Sequence, residues 1–448
     1  MRSTFLTLAV RTIFAVASLA SISAHGQQPV AAPGGKVVVI SLDAFGAESL
    51  RDPHLPAPTL RWLMKSGVYA TSMQPVNPTI TWPNHTAMVS GVDASRHHVL
   101  VNGLIVNQRT ASPPKVDADA PKSRLVAVPT IYDVAHQAGL TTAEVDWVAI
   151  TRAGTIDWHF SERPDLDGAI EHDLMEQGVV SREDLVHFGV PSQAWRDRIY
   201  TRAAIDILQK HHPDLMLLHL LALDGIEHKT GFGNDSGLNT IAFLDDRLKE
   251  VVDAVRDAGD LDRTTFIIVS DHGQQSVHKL LHADVLLKQA GLRGPDASNA
   301  TACMPEGGFA LVFQQHATPN SIVALKAVFE GKPGIRAALT PDEAAKDEWP
   351  TPSETDQAPD LLLYAADDYA FAGGDADSYV TDTKEVGEHG YPNTVPLMQS
   401  IFIAAGRGIQ PKGEFPAFPV IDVAPTIARL LHLSLPNVQG VPLAGILK

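Results

Sequence analysis

Three stretches of the chain carry consecutive apolar residues, where a half-exposed strand would be apolar at every second position. They cover residues 36–43, 213–223 and 263–270. Continuous runs of Val, Ile and Leu suit strands buried on both faces of a parallel sheet. A later run at 400–405 adds a strand to the same sheet, and shorter strands are expected at 71–76 and 142–148. Helical periodicity fills the intervals, at 60–66, 128–138, 195–211, 237–258 and 420–431, the last opening on Asp422 as a helix cap. Strands alternating with helices predict an α/β fold with a central, mostly parallel β-sheet flanked by helices on both faces. From Gln274 to about Val386 the pattern loosens, with strands expected at 307–313 and 359–363 and a helix at 321–329. An inserted cap subdomain over about 276–386, within a main domain of 36–448, follows from that change.

The beginning of the chain reads differently. Arg2 and Arg11 precede an apolar run with small residues at 12–24, the pattern of a secretory signal peptide, here 1–26, followed by a Pro-, Gly- and Ala-rich leader at 27–35. The run is too short for a comfortable membrane span. Export to a bacterial periplasm or secretion is expected, with no membrane span after cleavage. Of 448 residues 44% are hydrophobic and 19% charged, an ordinary globular composition. A net charge of −17 excludes a nucleic-acid scaffold, which needs a basic surface. It leaves small phosphate substrates open, since bound cations reverse the local field. Cys303 is the single cysteine, so metal ligands must be His and carboxylate.

Each apolar run ends on polar chemistry: Asp43 after the first, Asp224 after the second, Asp271-His272-Gly273 after the third. Sites in open α/β sheets form beyond the carboxyl ends of strands. Asp224 and His228, four apart, share one side of a helical turn. Thr81, in Thr81-Trp82-Pro83-Asn84-His85, stands just before a helix in which Pro83 suits the first position. Taken singly, each feature has an ordinary explanation: a helix cap, a surface pair, a turn. Together with His389 they supply three carboxylates and three imidazoles, enough for two cations about 4 Å apart that clamp an in-line displacement. Oxygen and imidazole ligands suit zinc. Asn102, in an Asn-Gly turn, could donate to a phosphoryl oxygen, and Trp82 adjoins the nucleophile. The Asn-Xaa-Ser/Thr matches at Asn84, Asn234 and Asn299 are weak signals, and Asn84 stands too close to the site to carry a glycan.

In combination these motifs, with His389-Gly390-Tyr391, resemble the alkaline phosphatase superfamily, in its nucleotide pyrophosphatase/phosphodiesterase branch. The resemblance runs from Lys36 to the C-terminus and is least in the insertion. It implies an alkaline phosphatase-like fold and two Zn2+ per chain. Asp43, Asp271 and His272 would hold the nucleophile-side ion, which also binds Thr81. Asp224, His228 and His389 would hold the water-side ion, and Asn102 with the backbone N–H after Thr81 would hold a phosphoryl oxygen. The implied reaction forms and then hydrolyses a phosphorylated Thr81, on a small phosphate ester or nucleotide. Trp82 replaces the family's usual Phe. Arg152, with Ile150 two residues before it, matches half of a Lys/Arg pair that related monoesterases use on substrate. A phosphate monoesterase or phosphonate hydrolase is therefore the alternative enzyme, and a catalytically silent metal-binding relative the non-enzyme alternative. A sulfatase is disfavoured because its modified Cys or Ser motif is absent around Thr81.

Overall fold

Successive residues of the first apolar run point into two different cores. Val38, Ile40 and Leu42 join one buried cluster, and Val37 and Val39 join the other, on the opposite side of the sheet. This two-sided burial is why apolar residues follow one another in the run without alternating. Each Val or Leu so buried contributes about 1.5–3 kcal/mol against exposure. The computed structural model describes residue 1 and residues 35–110, 113–294, 297 and 299–448. The expected signal peptide except for residue 1, and the leader except for residue 35, lie outside the described residues.

The central sheet comprises β1 (Lys36–Leu42), β2 (Val68–Ala70), β3 (Thr142–Val145), β4 (Trp158–Phe160), β5 (Leu215–Leu220), β6 (Thr264–Val269), β7 (Phe402–Gly406) and β8 (Gly413–Phe415). Their order across the sheet is β8-β2-β7-β6-β1-β5-β3-β4. From β6 to β4 every pairing is parallel. β7 runs antiparallel to both β6 and β2, while β8 is parallel to β2. The mostly parallel sheet expected from the apolar runs is present, with β1 between β6 and β5, so the three runs that end on candidate ligands lie side by side.

The helices that matter for the site are α1 (Pro58–Ser66), α2 (Thr81–Ser90), α3 (Gln193–His211), α4 (Ala222–Thr230), α5 (Asp235–Asp257) and α6 (Val423–Leu430). α1, α3 and α5 cover one face through residues such as Leu60, Ile207 and Leu248. α2 and α6 cover the other through Met88 and Ile427. Distant carboxylates cap two of these helices. Asp245 of α5 accepts from Thr59 N and Leu60 N at 2.8 Å each. Asp197 of α3 accepts from Leu221 N and Ala222 N, fixing the start of α4.

Several boundaries move. Helix α2 starts at Thr81, so Pro83 is its third residue instead of its first; its missing N–H still falls among the four that have no partner within the helix. The strand expected at 71–76 is instead β2 and a two-residue strand, Met73–Gln74. Thr130 begins the helix expected at 128–138, accepting from Asp133 N in a reciprocal capping box. Asp422 does not cap α6; its Oδ1 accepts from Val441 N and ties down the C-terminal segment.

Residues 301–365 contribute a four-stranded antiparallel sheet, in the order Thr301–Glu306, Phe309–Gln314, Leu361–Ala365, Ile335–Leu339. Gln275–Leu281, leaving the end of β6, pairs antiparallel with Val380–Glu388, which leads into His389. No helix among the described residues is long and apolar enough to cross a membrane.

Candidate metal centre

Two groups of ligand-type side chains gather at the carboxyl ends of β1, β5 and β6. In each, one oxygen or ring nitrogen per residue lies within 4.8 Å of the others: Asp43, Asp271 and His272 in one, Asp224, His228 and His389 in the second. The two groups adjoin, because the His272 and His389 rings stack with centroids 3.9 Å apart.

The first group is buried. Asp43 follows β1 directly, and its N–H donates to Leu220 O across to β5. Ala44 then turns the chain at φ +61° and donates its N–H to Asp271 Oδ1 at 3.2 Å. A non-glycine residue in that left-handed region is a local cost, and such costs concentrate at functional turns. His272 Nδ1 faces Gly273 O at 3.1 Å, which turns Nε2 inward, 3.2 Å from Asp271 Oδ2 and 3.6 Å from Asp43 Oδ1. Thr81 Oγ1 lies 3.5 Å from the same Nε2. Asp43 Oδ1 and Asp271 Oδ2 are buried without any hydrogen-bond partner. Burial and the neighbouring Asp271 push the Asp43 carboxyl well above its ordinary range. For Asp271 the burial penalty is outweighed by His272, His85 and His219, which hold it low. Two buried carboxylates with unpartnered oxygens aimed at an imidazole nitrogen fit a divalent cation, which would neutralise both.

The second group is more open. Asp224 sits in the first turn of α4 and His228 one turn on, with Nε2 3.1 Å from Asp224 Oδ1. His228 Nδ1 faces Gly387 O at 2.8 Å. His389 Nε2 approaches the same Asp224 oxygen at 3.6 Å. Gln274 Nε2 donates to it at 2.7 Å, so the chain segment that carries Asp271 also steadies Asp224. Burial opposes charge on Asp224, but His228, then His389 and His272, hold its pKa far below the usual value. His228 is raised to about 9, the Asp224 carboxylate overcoming desolvation. A carboxylate between two imidazoles also fits a divalent ion.

Asn102 and the backbone after Thr81 meet each other: Trp82 N donates to Asn102 Oδ1 at 3.0 Å. The Trp82 ring is only 6% exposed and packs with Val99, Leu104 and Val148. It borders a cavity of about 100 Å3 whose other walls include Asp119, Trp147, Thr151, Glu162 and Arg163. Arg152 is exposed and donates from Nη2 to Asp119 O at 2.6 Å. No hydrogen bond or ion pair among the described residues links Arg152 to Thr81 or to either ligand group. The structure thus assembles Asp43, Thr81, Asp271, His272, Asp224, His228 and His389, sets Asn102 beside Trp82, and leaves Arg152 exposed, bonded to Asp119 O.

Three further residues shape the site without having been singled out for it. His85 Nδ1 lies 2.9 Å from Thr81 O. Asn84, fully buried, accepts from Val76 N and donates to Pro78 O and Ile80 O, bracing the loop that leads to Thr81. His219 touches Asp43. A third ligand-type group, Asp173, Asp206 and His211, already holds a cation, the Lys210 ammonium at 2.8 and 2.9 Å from its two carboxylates.

Two such ligand groups beside a threonine, beyond the carboxyl ends of a parallel sheet, define an alkaline phosphatase-like α/β protein. The solved structure of murine ectonucleotide pyrophosphatase/phosphodiesterase 5 has the same fold, with a TM-score of 0.72 at 17% identity over 92% of this chain and all of that one. An inactive variant of that murine protein, solved in complex with AMP, matches equally well. Human ectonucleotide pyrophosphatase/phosphodiesterase family member 5 is 24% identical over 408 residues, 89% of this chain and 75% of that protein. Rat family member 1 is 25% identical over 88% of this chain, which spans only 40% of that relative. The profile of the type I phosphodiesterase/nucleotide pyrophosphatase family matches residues 37–392. The chain belongs to that family, and with it to the phosphoric ester hydrolases.

Proposed function

We propose that this chain is an exported two-zinc phosphodiesterase or nucleotide pyrophosphatase that works through a phosphorylated Thr81. The observation that supports the reading is that the two ligand groups adjoin beside a threonine: Thr81 Oγ1 is 3.5 Å from His272 Nε2 of the first group, and the His272 ring stacks on His389 of the second. Asp43, Asp271 and His272 would hold the nucleophile-side ion, and Asp224, His228 and His389 the water-side ion. Bound zinc would supply acidification of a hydroxyl and of water, and positive charge for the phosphoryl oxygens.

The protein's own groups do the rest. The start of α2 points Thr81 at the site, with backbone N–H groups that favour a phosphate. His85 and Asn84 fix the backbone on either side of Thr81 Oγ1. Attack by Thr81 forms its bond to phosphorus as the bond to the leaving alkoxide or phosphate breaks, the phosphoryl group keeping its other ester substituent, and water then cleaves the Thr81–phosphorus bond to release a phosphate monoester such as a nucleotide. Trp82 N–H and the Asn102 amide hold a phosphoryl oxygen once the amide turns its Nδ2 toward substrate. Trp82 and the cavity beside it would line the substrate site. Nucleotides are the substrate class favoured by the relatives, one of which, a frog protein 33% identical over 93 residues, is described as a bis(5'-adenosyl)-triphosphatase. The residues at 276–386 would act as a cap, and the N-terminal segment as an export signal.

Rates of the zinc-loaded protein on bis-p-nitrophenyl phosphate and p-nitrophenyl phosphate test the reading. Preference for the diester, lost in Thr81→Ala, is the expected result. Preference for the monoester that disappears in Arg152→Ala would overturn it in favour of a monoesterase.

A further inference from the structure

His219 belongs to neither ligand group, yet it contacts one of them. It is paired with Ser41 in the register between β5 and β1, two positions beyond the pair Leu217 and Val39 and four beyond Leu215 and Val37. Those four residues pack in the core beneath α2, so His219 occupies the next site of an apolar series. It is completely buried. Placing an imidazole where a leucine would serve costs desolvation unless its nitrogens are used. Both are. Nε2 lies 3.0 Å from Asp43 Oδ2, and Nδ1 lies 3.2 Å from Asp146 O and 3.5 Å from Asp146 Oδ2.

Asp43 therefore has two unlike oxygens. Oδ2 is taken by His219, while Oδ1 has no hydrogen-bond partner and faces His272 Nε2 at 3.6 Å. We propose that His219, braced by Asp146, is a positioning residue that locks Asp43 so that Oδ1 is the oxygen offered to the nucleophile-side cation. This rests on the reading of the buried group as an ion site. A neutral imidazole has one N–H, and the polar atom nearest to either ring nitrogen is Asp43 Oδ2, so the ring proton is placed on Nε2. Asp146, itself buried, stands behind Nδ1 and prevents the ring from swinging away. The arrangement mirrors the familiar one in which a carboxylate orients a metal-bound histidine; here a histidine orients a metal-type carboxylate. The His85 ring lies 4.3 Å from that of His219 and its Nδ1 faces Thr81 O. One pair of imidazoles thus underlies both the nucleophile and its neighbouring ligand.

The test compares zinc affinity by chelator competition in the full-length protein, wild type against His219→Leu, His219→Gln and Asp146→Asn. Leucine suits the apolar strand position, and circular dichroism checks that the variant folds. In His219→Leu the buried-group zinc should bind about 10- to 100-fold more weakly, with the second zinc unchanged. His219→Gln, whose amide N–H can stand where Nε2–H stood, should recover most of the loss. Asp146→Asn should weaken the same zinc a few-fold, and it decides the matter if the leucine variant does not fold. Two zincs held at wild-type affinity in His219→Leu, or in Asp146→Asn where that variant must decide, would overturn the proposal, as would a glutamine variant no better than leucine. Wild-type protein that binds no zinc would remove the metal reading itself, an outcome distinct from equal binding by wild type and variant.

Discussion

The two ligand groups use the same residue types in opposite settings. Asp43, Asp271 and His272 are sealed in, none more than 2% exposed. The Asp224, His228 and His389 side chains are 14%, 32% and 13% exposed. The sealed group hangs from the ends of adjacent parallel strands and touches Thr81. The open group is divided between a helical turn and the strand returning from the 276–386 region. If Thr81 is the nucleophile, burial sits where it would be held, and access to water where an intermediate would be hydrolysed. On this account the sealed group serves attack by Thr81 and the open group serves release.

The sharpest way to break the comparison is to remove the nucleophile. Thr81→Ala should lower turnover by at least about 10^4-fold while both metals stay bound, read by stopped assays and elemental analysis. Turnover that survives would detach Thr81 from the sealed group's role. Next comes a matched pair, Asp271→Asn and Asp224→Asn, each expected to cost about 10^2- to 10^3-fold in turnover. They should differ in where the reaction stops. Asp224→Asn should accumulate a covalent Thr81 phosphodiester that retains the substrate's non-leaving group, visible by mass spectrometry after acid quench, and Asp271→Asn should not. Accumulation in both, or in neither, would erase the division of labour.

Chelation offers a milder contrast. The open group should surrender its metal to a chelator about 10-fold or more faster than the sealed one, giving two phases of zinc loss, since burial restricts entry of the chelator. A single phase would make the two settings equivalent. The smallest effect is on stability. A Cβ on Gly273 would stand 2.1 Å from Leu397 O and 3.2 Å from Gly46 Cα. Gly273→Ala should cost about 1–3 kcal/mol in chemical denaturation and loosen the sealed group more than the open one.

Much of this contrast was legible in the sequence, and the physics says which part. Strands buried on both faces write themselves as unbroken apolar runs, so β1, β5 and β6 and the polar residues at their ends could be read directly. Asp224 and His228 were visible through helical spacing. What stayed hidden was everything whose partner is remote. Asp245 caps α1 from 186 residues away and Asp197 caps α4 from 24. His219, inside Leu218-His219-Leu220, has the look of a tolerated core residue until its distance to Asp43 is known. Asn84 reads as a sequon match until its amide is found bracing the loop ahead of Thr81. Helix α2 was placed two residues late because a proline fits any of the first few positions, where no internal hydrogen bond is lost.

The most direct measurement is anomalous diffraction at the zinc edge from crystals of the zinc-loaded full-length protein. The account predicts two peaks, one among Asp43, Asp271, His272 and Thr81 Oγ1, the other among Asp224, His228 and His389. A single peak, or peaks away from these side chains, would contradict it.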